Sequence, residues 1–91
     1  KAAKSALVKA WKNVCAVTGE RATLKGLDNE IYKISRNPMI YRARATSRGV
    51  SKAKVEAEYY SEALAELVEA GDNGSNDRLV QSLIHVVKEA G

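Results

Sequence analysis

Four windows of the chain space their apolar residues at three and four, the period of a helix that buries one face. In the first, Ala3, Leu7, Ala10, Trp11, Val14 and Val17 recur at that interval while Lys1, Ser5, Lys9, Lys12 and Asn13 cover the other side. The second holds Leu24, Leu27, Ile31 and Ile34 with Tyr32 beside them. The third holds Ala53, Ala57, Tyr60, Leu64 and Leu67, widened by Val55, Tyr59 and Ala63, and the last holds Leu79, Val80, Leu83, Ile84 and Val87. The apolar content is mostly Ala, Val, Leu and Ile, with no Phe and one Trp, which suits close helix packing better than a β-sandwich. The spacing therefore predicts an all-α fold, a compact bundle of four to five helices.

Punctuation between the windows sets the expected boundaries. Thr18 and Gly19 end a first helix that starts at Ala2, since glycine tolerates the positive φ found just past a helix end. The second helix reaches about Ser35 and starts anywhere from Ala22 to Asp28. Gly26 weakens its first turn by roughly 1 kcal/mol relative to alanine, and Asp28 offers a later cap. Asn37 before Pro38 pairs an N-cap residue with the ring that fits the first helical position, so a short helix is expected from Pro38 to about Ser47, closed by Gly49. Ser51 caps the longest helix, Lys52 to Ala70. The stretch GDNGSND, Gly71 to Asp77, reads as a turn throughout, with Ser75 or Asn76 capping the last helix. The expected core is Trp11, Val14, Leu27, Ile31, Ile34, Tyr60, Leu64, Leu67, Leu83, Ile84 and Val87.

Ninety-one residues, 45% hydrophobic and 29% charged, make one helical domain over residues 1–91 with a modest core, too apolar for a disordered tail. The chain opens on Lys1, and the expectation is a domain excised or processed from a larger chain. No run approaches the length of a membrane span, and KAAKSALVKA interleaves charge with its apolar residues, unlike a signal peptide. With Cys15 the single cysteine, no intrachain disulfide can form. A reduced, intracellular setting is expected, without a stated compartment.

Nothing in the residue pattern supports catalysis, a metal or a cofactor. His85 is the single histidine and falls with Arg78, Gln81 and Lys88 opposite the apolar stripe, as a solvated residue would. Structural zinc needs four ligands, which a lone His and a lone Cys far apart do not approach. Cys15 lies near the first stripe and reads as a small buried hydrophobe. The stretch from Ala70 to Arg78 lacks the acid spacing and terminal glutamate of a calcium loop, and the isolated glycines build no phosphate cradle. The chain is read as non-enzymatic.

Charge is the informative feature. Residues 1–54 carry 13 basic and 3 acidic side chains, and residues 55–91 carry 2 basic and 8 acidic. Between Glu30 and Glu56 no acid occurs, while Lys33, Arg36, Arg42, Arg44, Arg48, Lys52 and Lys54 lie there with Tyr32 and Tyr41. Such a segment neutralises phosphates and releases counterions, and tyrosine rings stack on bases. A nucleic-acid contact is therefore expected at Arg36, Tyr41, Arg42, Arg44, Arg48, Ser51, Lys52 and Lys54. In the long helix Glu58, Glu62, Glu66 and Glu69 follow at four, four and three, a line of like charges that calls for something basic nearby. The basic half of the same chain would serve. So would a protein partner, which makes a helical interaction or assembly module the alternative function.

Ala45, Gly49, Val50 and Val55 in ATSRGVSKAKV are spaced as in the turn region of helix-turn-helix proteins, which this stretch resembles over about a fifth of the chain. The resemblance implies that the first turn of the following helix, with Ser51, Lys52 and Lys54, approaches the major groove while Arg42, Arg44 and Arg48 meet phosphates. The pattern departs at Arg44, Arg48 and Glu58, where the motif keeps apolar residues, and the helix is acidic beyond Lys54. A basic surface without base readout asks less of the sequence.

Overall fold

The computed structural model describes residues 2–35 and 52–90, with the side chains of residues 52, 53 and 90 left aside. Among these residues the chain forms four helices, α1 (Ala2–Thr18), α2 (Leu24–Ile34), α3 (Lys52–Asp72) and α4 (Arg78–Ala90). The expected all-α bundle is what the sequence builds. The short helix expected from Pro38 to Ser47 lies outside the described residues.

Each boundary has a local chemical cause. At the end of α1 the Gly19 N–H donates to the Cys15 carbonyl at 2.8 Å with φ at 81°, a conformation that a side chain would disfavour. Thr23 caps α2: its Oγ1 accepts from the Gly26 N–H at 3.1 Å, so the helix starts before Asp28 and Asp28 is not its cap. The close approach of Trp11 explains Gly26, because a Cβ there would stand 3.0 Å from Trp11 Cζ2. The indole N–H of Trp11 then donates to the Thr23 carbonyl at 3.0 Å and ties the cap to α1.

The turn after α3 is shorter than expected, since the helix continues through Gly71 and Asp72. The Ser75 N–H closes it by donating to the Ala70 carbonyl at 3.0 Å, with Gly74 at φ 90°. Asp77, rather than Ser75 or Asn76, caps α4: its Oδ1 accepts from the Leu79 N–H at 2.9 Å, and a carboxylate also suits the positive end of the helix dipole. Ser75 serves the turn, its Oγ accepting from the Asp77 N–H and its carbonyl from the Gln81 side chain.

Helices α1, α3 and α4 pack against one another, and α2 lies against α1 and α3. Trp11, Leu27, Ile31, Tyr60, Leu67 and Leu83 are buried as expected, and Val14, Ile34, Leu64 and Ile84 pack half-buried around them. Val87 is not a core residue. The inward positions of α4 are Leu79, Val80, Leu83 and Val86, and Val87, in the last turn of the helix, stays exposed. Val17 and Leu24 also stay exposed, because each sits in a terminal turn at the edge of the bundle. Between α1 and α4, the Ser82 hydroxyl donates to the Ala10 carbonyl at 3.0 Å. The core is thus continuous from Ala3 to Val86.

Candidate nucleic-acid interface

The two helices that flank the basic segment run in the same direction. Tyr59 on α3 meets Asp28 on α2, and seven residues further along both helices Glu66 meets Ser35. Ser35 therefore stands level with Glu66, 14 positions past Lys52 in α3, or about 21 Å at a rise of 1.5 Å per residue. Both described edges of the basic segment, Ser35 and Lys52, accordingly adjoin α3.

Of the expected contact residues, Arg36, Tyr41, Arg42, Arg44, Arg48 and Ser51 lie outside the described residues. Lys52 opens α3, and Lys54 is exposed one residue before the buried Val55. That burial suits the apolar position of a second helix in the helix-turn-helix pattern. Glu58, which replaces an apolar residue of the pattern, is exposed one turn on.

Four other cations of the positive half are open. Lys9, Lys12, Arg21 and Lys25 are exposed, and among the described residues no acid lies within ion-pair distance of them. Lys33 pairs with Glu30 at 3.2 Å one turn back, and Lys4 places its Nζ 5.6 Å from the centre of the Tyr60 ring, a cation–π contact.

On the negative side, Glu58, Glu62 and Glu69 are exposed, and the first two border a shallow depression with Ala57 and Ser61. Glu66 is half-buried and its Oε2 accepts from the Ser35 hydroxyl. Burial raises the pKa of Glu66 above the usual carboxylate value, and the neighbouring charges of Glu62 and Glu69 add to the rise. Among the described residues none of the four glutamates has a basic partner within 4 Å. The lysines and arginines of α1, α2 and the loop between them do not neutralise this stripe.

One polar pair escaped the sequence reading. The Tyr59 hydroxyl donates to Asp28 Oδ1 at 2.9 Å with both residues buried. Its signal was present, since Leu24, Asp28 and Ile31 fall on one face of α2 and a carboxylate inside an apolar stripe needs a donor opposite. Cys15 is buried, its thiol pKa pushed up by desolvation and then by Glu20. His85 is exposed, with Nε2 2.9 Å from Glu89 Oε1. Among the described residues no three His, Cys, Asp or Glu side chains are grouped to hold a metal ion, and no helix is long and apolar enough to cross a membrane.

No family model, no curated protein and no solved structure matches this chain.

Proposed function

We propose that this chain is a small non-enzymatic domain that binds nucleic acid through a basic surface centred on residues 36–54. Arg36, Arg42, Arg44, Arg48, Lys52 and Lys54 would meet phosphates in this reading, with Tyr41 available for stacking and Ser51 at the entry to α3. The observation that carries it is the separation of charge. The described cations of the positive half stand in solvent or pair locally, and the α3 glutamates do not take them up. A surface left positive in this way attracts polyanions. A helix-turn-helix form of the same reading would bring the first turn of α3, with Lys52 and Lys54, toward the duplex.

Fluorescence anisotropy with labelled DNA and RNA tests it. Binding near micromolar protein at low salt, weakening steeply as salt rises, is the expected result. Absence of binding at low salt removes the reading.

The exposed line of Glu58, Glu62 and Glu69 favours a second reading, a helical assembly module with a basic protein partner or a second copy. Sedimentation equilibrium addresses the self-association arm. Association lost in the triple glutamine variant supports it, and a monomer indifferent to those substitutions counts against it.

A further inference from the structure

We propose that α1 carries a second phosphate-binding face, the shallow groove lined by Lys4, Ser5, Val8, Lys9 and Lys12, so that a nucleic acid is held at two places on the bundle. The inference rests on the nucleic-acid reading above and extends it to a helix outside the acid-free segment. Three observations carry it. Residues 1–19 contain no acid, so the face has no charge partner on its own helix. Among the described residues no carboxylate from another helix lies within ion-pair distance of Lys4, Lys9 or Lys12. The three lysines also share one concave surface with a hydroxyl in reach, where scattered surface charges would not.

Their placement suits a sugar–phosphate backbone. From Lys4 to Lys12 the helix rises by about 12 Å at 1.5 Å per residue, which matches the axial rise of three to four nucleotides of a duplex at about 3.4 Å each. Lys4 is held over the Tyr60 ring, which limits its freedom before any ligand arrives. An anionic membrane fits the groove less well. A helix that lies in a membrane inserts its apolar face, and the apolar face of α1, with Leu7, Ala10 and Trp11, is buried in the core.

The test compares salt dependence of binding to a mixed-sequence DNA duplex for the wild-type chain and for K4Q/K9Q/K12Q. Each lost phosphate contact flattens the slope of log K against log salt by about 0.9, so the triple variant should flatten it by about 2.7. K9Q/K12Q, which changes only exposed residues, should flatten it by about 1.8 and serves should the triple variant fold poorly. R78Q/K88Q, exposed cations of α4, should leave the slope unchanged. A wild type that binds with a slope indifferent to the α1 lysines overturns this inference and spares the function proposed above. A wild type that binds neither the duplex nor RNA at low salt overturns both. Lysine-dependent binding to phosphatidylserine vesicles with unchanged duplex affinity would assign the groove to lipid and overturn it as well.

Discussion

Tyr59 donates its hydroxyl to the Asp28 carboxylate at 2.9 Å inside the contact between α2 and α3. The pair fixes the register of two helices that run in the same direction, and with it the position from which the chain leaves α2 at Ser35. Register here is a matter of polar satisfaction as much as of shape, because a one-turn slip would separate a buried carboxylate from this donor.

Replacing Tyr59 with phenylalanine keeps the ring, including its edge-to-face contact with Tyr60 at 4.8 Å, and removes the donor. The expected cost is about 0.5–1.5 kcal/mol, the net contribution of one hydrogen bond. Urea unfolding should show a lower midpoint at unchanged m-value. A loss below about 0.5 kcal/mol would mean that the pair does not hold the register.

Glu66 should make stability depend on pH in a definite direction. Its folded pKa lies above the usual carboxylate value, so folding shifts the group toward its protonated form. The stabilisation from this group is complete below the unfolded value and is lost as pH rises through the folded one. Glu66→Gln should therefore be more stable than wild type at about pH 7, by a few tenths of a kcal/mol for each like-charge neighbour removed, and should lose that advantage near pH 4. Paired urea titrations at the two pH values check it. An advantage that is larger in acid would contradict the sign.

Gly71→Ala would normally stabilise a helix by about 1 kcal/mol. In α3 the added Cβ would stand 1.9 Å from Ile84 Cδ1, with Ile84 Cγ1 and Val80 Cγ1 at 3.1 and 3.2 Å. Overpacking of about 1–3 kcal/mol offsets the helix gain of about 1 kcal/mol, so the expected outcome is a net loss of up to about 2 kcal/mol. An Ile84→Val background, which removes Cδ1, should reduce that loss in a double-mutant cycle. A gain in thermal stability from Gly71→Ala alone would contradict the close packing of α3 on α4.

These cases also mark what was legible in the sequence. Stripes at three and four were enough to place four helices and most of the core, because a helix that buries one face has few other ways to satisfy that pattern. Adjacent identical residues were not separable by pattern: Val86 and Val87 differ only in a phase set by how α4 seats on α1 and α3. The turn after α3 hid its cap for a similar reason. Ser75, Asn76 and Asp77 all suit the role, and tertiary closure at Ala70 selected the last of them. Gly71 looked like a turn residue because the need that explains it, room for Ile84, comes from a helix distant in sequence. The Asp28–Tyr59 pair was readable only by treating an acid in an apolar stripe as a demand for a partner. For the candidate site, the sequence showed the two blocks of charge, and the structure adds that Glu58, Glu62, Glu66 and Glu69 have no basic partner among the described residues.

The most direct measurement of the central claim is the salt-dependent affinity of R42Q/R44Q/R48Q and of E58Q/E62Q/E69Q for one labelled DNA duplex, beside the wild type. Contact through the basic segment predicts that the arginine variant binds more weakly, with a slope flatter by about 2.7, while the glutamine variant keeps the wild-type slope. An arginine variant that binds as the wild type does, with the same slope, would contradict the account.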